Sequence, residues 1–386
     1  MKKIYLDHGA TTPVDKEVVK AMLPYLIEKF GNASSIHSYG QETKEALEKS
    51  REIVAKKLGA KPNEIIFTSG GSESDNLAIK GVAHAYRNKG NHIITSDIEH
   101  PAVLGTCKSL AEEGFEITYL KVDNEGFVKP DDVEKAITKK TILVSIMHAN
   151  NEIGTIEPIE EIGKICKSKG VLFHTDAVQS FTKVPIDVNK MNIDLLSISA
   201  HKIHGPKGVG ALYIREGTKI KKMIDGGHHE FDMRAGTENI PGIVGFAKAV
   251  ELVNDNQIKY MTKLRDKLIK ELLRIPDTKL NGPSGKNLDR RLCNNVNISF
   301  KYAEGESILL RLDDKGIAVS TGSACSSRSL KPSHVLLAIG LKPETAHGSI
   351  RFTLGRENTI QEINYTIKTT KEVVEELRKL SPFGKN

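Results

Sequence analysis

Lys202 stands in the run DLLSISAHKIHGPKGVGALYI, where an apolar stretch leads into Ser199, Ala200, His201 and Lys202 before a glycine-rich turn. A lysine just past a buried strand is badly placed for an ordinary solvated cation. Partial desolvation lowers an amine's pKa and makes it nucleophilic, the setting a Schiff-base lysine needs beside an aldehyde. Ser199 and His201 flank it and suit a phosphate. His201 and His204 are also metal-ligand types, but no third ligand of suitable spacing follows, so no metal is expected. His228 and His229 are adjacent, and adjacent side chains point in different directions.

Two further segments add donors and a carboxylate. In EIIFTSGGSESDNLAIKG a strand ends near Thr68, Ser69 to Ser72 form a tight loop, and Glu73 begins a helix. Glycines let a ligand approach the backbone, and the first N–H groups of a helix have no partner of their own. Gly71 and Ser72 therefore make a candidate phosphate cradle, although a plain turn capped by Ser72 has the same local pattern. In VLFHTDAVQS, Asp176 falls at the C-terminal end of an apolar strand, where α/β sheets bind ligands. A carboxylate there can keep a pyridinium nitrogen protonated and make the ring an electron sink; the bland alternative is a helix cap. Gln179, three residues on, reaches the same ligand.

The remaining reactive group is a thiol. Cys325 lies in AVSTGSACSSRSLKPSHV, rich in serine, glycine and small residues. That composition favours a loop, and the small polar neighbours favour exposure over the usual fate of a lone cysteine, a small buried hydrophobe. Cys107, Cys166 and Cys293 have ordinary surroundings. No two of the four have C-x-x-C spacing, which disfavours a zinc ribbon or a disulfide framework.

Short β-branched runs between about residues 52 and 215 must position these groups. They include EIIFTS, HIITSD, ILVSIMH, VLFHTD, LLSISA and GALYIR, separated by amphipathic segments rich in lysine and glutamate. The alternation predicts βα units and a mainly parallel sheet covered on both faces. A long helix is expected after GTENIPG, and another over roughly Gln257 to Leu273, where Leu264, Leu268 and Leu272 recur at a helical interval. After Pro276 the pattern changes: NVNISF, IAVSTG and SIRFTLG read as strands, EGESILLRLDDKG as a helix, and a last helix runs from about Ile360 to Leu380. The expected division is a large domain over residues 15–255 and a small α+β domain made of 1–14 plus 256–386.

The 386 residues suffice for two or three domain-sized units, and 39% hydrophobic with 27% charged residues is ordinary globular composition. No apolar run reaches the ~18 residues of a membrane span. MKKIYLDHGATTP lacks an apolar h-region, so the cytoplasm is the expected location. A net charge of +7 is spread without a basic block interleaved with aromatics, so direct nucleic-acid binding is not expected.

The S-A-H-K-x-x-G-P-K-G core, the S-G-G-S-E-S-D-N loop, the T-D-A-x-Q turn and the S-T-G-S-A-C-S-S segment occur here in the order seen in cysteine desulfurases of the NifS/IscS type. Y-L-D-H-G-A-T-T-P, R-A-G-T-E-N and H-G-S-I-R-F match as well, so the resemblance runs from residue 4 to about residue 380. It implies a pyridoxal 5'-phosphate enzyme of the class V aminotransferase family. It also implies the fold type I (aspartate-aminotransferase-like) α/β architecture, with a mainly parallel seven-stranded sheet and a smaller α+β domain, assembled as a homodimer.

By the same resemblance Lys202 holds the cofactor, Asp176 pairs with the pyridine nitrogen, and Gln179 contacts the ring hydroxyl. His100, in IEHPAV, stacks on the ring and relays protons. Gly71, Ser72, Ser199 and His201 bind the phosphate, with Thr237 donated by the other subunit. Asn150 and Arg351 hold the substrate carboxylate, and Arg356 competes with Arg351 for that role. His8 and Gly9 stand where many members have asparagine and alanine, Ser72 replaces the commoner threonine, and Pro101 follows His100.

The implied activity converts L-cysteine to L-alanine and leaves the sulfur as a persulfide on Cys325, for an iron–sulfur scaffold protein or a tRNA-thiolation pathway. Arg328 or His100 is the expected source of thiolate stabilisation, since a thiol of pKa ~8.5 is only a few per cent ionised at neutral pH. The segment from Ser320 to Val335 is expected to be a mobile carrier loop. A selenocysteine lyase and a non-catalytic scaffold of the same fold are the competing readings.

Overall fold

The computed structural model describes residues 3–321 and 332–380. Seven strands form the main sheet, in the order Ile65–Thr68, Gly210–Ile214, Leu195–Ser199, Leu172–Asp176, Thr141–Ser145, His92–Ser96 and Glu116–Leu120. Gly210–Ile214 runs antiparallel to both neighbours, and the other pairs are parallel. The parallel strands read as continuous apolar runs because helices cover both faces; His92–Ser96, Thr141–Ser145 and Leu195–Ser199 are buried along their whole length. Glu116–Leu120 (EITYL) is not among the apolar runs named from the sequence. It is the edge strand, and Glu116 and Tyr119 remain exposed.

Register puts the chemistry side by side. Asp176 pairs with Ser197, and Ser199 with Gly210, so the C-terminal ends of two neighbouring strands deliver Asp176 and Lys202 to one edge of the sheet.

A four-stranded antiparallel sheet lies apart, ordered Ser320–Thr321, Ser349–Thr353, Asn295–Phe300 and Thr278–Leu280. Ile4–Tyr5 pairs in parallel with Ile317–Ala318, which brings the amino terminus to this second body. One apolar core of the large sheet gathers residues such as Val18, Val144, Phe173 and Phe246; a separate one gathers Leu6, Leu268, Val296, Ile350 and Val374. The helix expected near Gln257 is Asp255–Leu272. It starts two residues earlier because Asn254 and Gln257 form a capping box, and it buries Leu264, Leu268 and Leu272 on one face. The helix expected after GTENIPG begins inside that segment, as Ile240–Leu252 with Asn239 as its cap, and the C-terminal helix is Ile360–Leu380.

Candidate active site

The strand Ile65–Thr68 turns through Ser69 and Gly70 into the helix Gly71–Ala85, which begins two residues before Glu73. Gly70 occupies the capping position with φ 152°, a conformation open to glycine, and supplies no side-chain cap. Ser72 is therefore not the cap, and its side chain lines the cavity beyond the helix. A methyl group on Gly71 would sit 2.7 Å from Val178 Cγ2, so the cradle tolerates no side chain there. The leading N–H groups are left for an anion, favoured further by the helix dipole.

The cavity encloses about 360 Å³. Gly71, Ser72, Ser199 and His201 line one end, and Lys202, Asp176, Gln179, His100 and Arg351 line the rest. Lys202 closes a short 3₁₀ turn after its strand, and its Nζ donates to the carbonyls of Gly9 (2.7 Å) and Ala10 (2.6 Å). Gln179 Nε2 donates to Gly9 O at 3.0 Å, so the amino-terminal segment forms one wall. Asp176 accepts the Val178 N–H at 2.9 Å within a turn, and no helix follows for it to cap. Burial raises the pKa of Asp176, against the opposing fields of His100 and Lys202.

His100 precedes Pro101–Glu112, and its Nδ1 accepts the Ala102 N–H at 3.1 Å. That bond makes Nδ1 the acceptor, which places the proton of the neutral ring on Nε2, and burial lowers the imidazole pKa. His201 contacts Thr11 Oγ1 at 3.2 Å, and burial with the neighbouring lysines takes its pKa down to about 4.

The two candidate arginines separate clearly. Arg351, 2% exposed, reaches the cavity; its Nη1 donates to Asn151 O (3.0 Å), its Nη2 to Asp7 Oδ1 (2.9 Å), and its Nε has no partner. Arg356 pairs with Asp15 and lines a smaller void behind Lys202.

Asn150 departs from the substrate-carboxylate role expected of it. Its amide donates to Ile98 O and Met147 Sδ and accepts from the N–H groups of Glu152 and Ile153, so the fully buried side chain pins the turn. Asn151 and Glu152 line the cavity in its place. Thr237 is exposed and outside the cavity of its own chain. Cys325, Arg328 and most of the expected carrier loop lie outside the described residues.

Sequence reasoning missed several buried charges. Asp75, on the cradle helix, is 1% exposed, its Oδ1 has no hydrogen-bond partner and lies 3.7 Å from His174 Nε2, and burial beside Asp176 raises its pKa. Glu99, next to His100, accepts from Ser96 Oγ (2.6 Å) and Met147 N (3.0 Å), and burial pushes its pKa up to about 8. Its position beside the singled-out histidine was a usable signal; nothing in sequence marked Asp75 as buried.

A cradle that excludes side chains, a buried carboxylate with a single backbone donor, and a lysine amine in the same cavity fit pyridoxal phosphate. Fold and site together define a fold type I pyridoxal-phosphate enzyme. The model of the class-V aminotransferases matches residues 4–366, and the chain belongs to that family. Cysteine desulfurase IscS of Dictyoglomus turgidum is 59% identical over 386 residues, 99% of this chain and 97% of that one. Among solved structures, a NifS-like protein superposes with TM-score 0.91 at 42% identity, covering 97% of this chain and 100% of the other. SspA in complex with cysteine gives 0.82 at 40% identity, over 92% and 100%.

Proposed function

We propose that this protein is a cysteine desulfurase, which converts L-cysteine to L-alanine and passes on the sulfur as a persulfide of Cys325. The reading is carried by the meeting of Lys202 Nζ, Asp176, His100 and Arg351 in one cavity at the end of the cradle helix. Relatives named as cysteine desulfurases along the full chain support it.

Pyridoxal phosphate, when bound, supplies the electron sink that makes the substrate Cα–H acidic. Gly71, Ser72, Ser199 and His201 would hold its phosphate, Asp176 would pair with the ring nitrogen and Gln179 with the ring hydroxyl, and His100 would contact the ring. Lys202 Nζ takes the Cα proton as general base. Arg351 binds the substrate carboxylate; its unpaired Nε is a ready donor. Cys325 thiolate attacks the substrate sulfur. The new S–S bond forms as the Cβ–S bond breaks, and that bond's electron pair stays with carbon and is protonated, so no outside oxidant is needed.

The same proposal includes a homodimer in which Thr237 reaches the partner's phosphate site. Ile27 (73% exposed), Phe30 (69%) and Ile36 (95%) form an apolar stretch that a second copy would cover. A cytoplasmic location suits Cys107, Cys166 and Cys293, all buried free thiols. The sulfur acceptor is an iron–sulfur scaffold protein or a tRNA-thiolation component. The two separate cores support a large domain of 15–255 and a small one of 1–14 plus 256–386.

The test is incubation of the purified protein with cysteine, assaying alanine and, by mass spectrometry, the mass of Cys325. Stoichiometric alanine and a one-sulfur adduct are expected, and both form far more slowly in Lys202→Ala. Alanine without any Cys325 adduct would refute the persulfide step.

A further inference from the structure

Glu73 puts a negative charge in the first turn of the helix that holds an anion. Its carboxylate has a structural task there: Oε2 accepts the Ser69 N–H at 2.8 Å. Gly70 has no side chain to cap the helix, so Glu73 shapes the loop from inside. Its Oε1 accepts from Arg234 Nε at 3.0 Å, and the two side chains are only 17% and 23% exposed.

The approach of Arg234 is built at a conformational cost. Glu230, Phe231 and Asp232 have φ of 45°, 56° and 65°, three consecutive left-handed residues, none a glycine. L-residues avoid this region because Cβ crowds the following carbonyl. Glu230 holds the turn by accepting from Arg51 Nη1 (2.7 Å), Arg51 Nη2 (3.0 Å) and the Phe67 N–H (2.7 Å). Arg51 also donates to Ile65 O at 2.7 Å and lies against the rings of Phe67 and Phe231. The clamp thus grips Ile65–Thr68, the strand that runs into the cradle, and Arg234 follows four residues later.

We propose that Arg234 is a positioning residue for the cofactor phosphate: it cancels the charge of Glu73, so that this carboxylate shapes the cradle without repelling the phosphate. The clamped turn at Glu230–Asp232 delivers it. The inference rests on the reading above that a phosphate occupies the cradle.

Holoenzyme is dialysed free of cofactor and retitrated with pyridoxal phosphate and with pyridoxal, which lacks the phosphate. Arg234→Met should weaken pyridoxal phosphate on the order of tenfold, the size expected of one uncompensated charge near a helix terminus, and leave pyridoxal unchanged. Adding Glu73→Gln, which keeps an acceptor for Ser69, should restore most of the loss. Glu73→Gln alone should favour pyridoxal phosphate over pyridoxal more than wild type does, a reading that survives if Arg234→Met does not fold. Equal losses for both ligands, no rescue in the double variant, or no gain in Glu73→Gln would each overturn the proposal. Wild-type protein that takes up no pyridoxal phosphate would instead sink the functional reading; the same variants titrated with inorganic phosphate would still decide the role of Arg234.

Discussion

Lys202 separates two pockets, the front one lined by acids as well as bases and the rear one by bases without an acid. In front lies the 360 Å³ cavity, floored by the acids Asp176 and Asp75 with Glu99 beneath. Behind lies a void of about 30 Å³ lined by bases: His8, Lys183, His204 and Arg356. Burial dominates on both sides, with opposite results. It raises the front acids toward their protonated forms and lowers the rear bases toward their free forms: Lys183 to about 8, His204 to about 4 and His8 to about 3. Lys183 also ties the two sides together, since its Nζ donates to Gln179 O (2.9 Å) and to Lys202 O (3.3 Å).

The front pocket should dominate chemistry. Lys202→Ala removes the general base and should cut kcat by ~10²–10⁴ in single-turnover alanine formation, with loss of the cofactor's visible band. The arginine comparison comes next. Arg351→Met should raise KM for cysteine on the order of a hundredfold, while Arg356→Met, on the rear side, should leave KM within about threefold. The reverse ranking would reassign the substrate carboxylate to the rear arginine.

Smaller effects belong to stability, with opposite pH slopes. Glu99 has a raised folded-state pKa, so the native state holds its proton more tightly than the unfolded chain. Its contribution is complete below about pH 4.5 and is lost as pH rises toward 8. Glu99→Gln should flatten that decline, gaining on the order of 2 kcal/mol at pH 8 in urea melts. His8 has a lowered pKa, so stability is lost as pH falls from about 6.5 toward 3. His8→Asn should flatten this acid limb, by about 1 kcal/mol in melts at pH 4. Parallel pH slopes in the two variants would erase the contrast between the pockets.

Much of the front pocket was legible in the sequence. Asp176 and Lys202 announced themselves because Asp176 ends an apolar strand and Lys202 closely follows another, and strand ends are where a parallel sheet binds ligands. Lys183 and Asp75 gave no comparable signal, since a charged residue inside a helix or after a turn is usually solvated. Asn150 and Asn151 are alike in sequence, and only the turn decides that one is spent on backbone groups while the other faces the cavity. Glu116–Leu120 escaped notice because an edge strand can leave polar residues in water.

The sequence alone determined the kinds of groups present and their order along the chain: a glycine cradle, a carboxylate, an amine and a cysteine among small residues. Those follow from local chemistry, since hydrophobic period and glycine placement act within a few residues. Tertiary structure decided which arginine enters the cavity, which acids sit under the floor, and that Gly9 and Ala10 close over Lys202. Each of these joins segments far apart in the chain, and burial, the cause of every large pKa shift here, exists only once they have packed together.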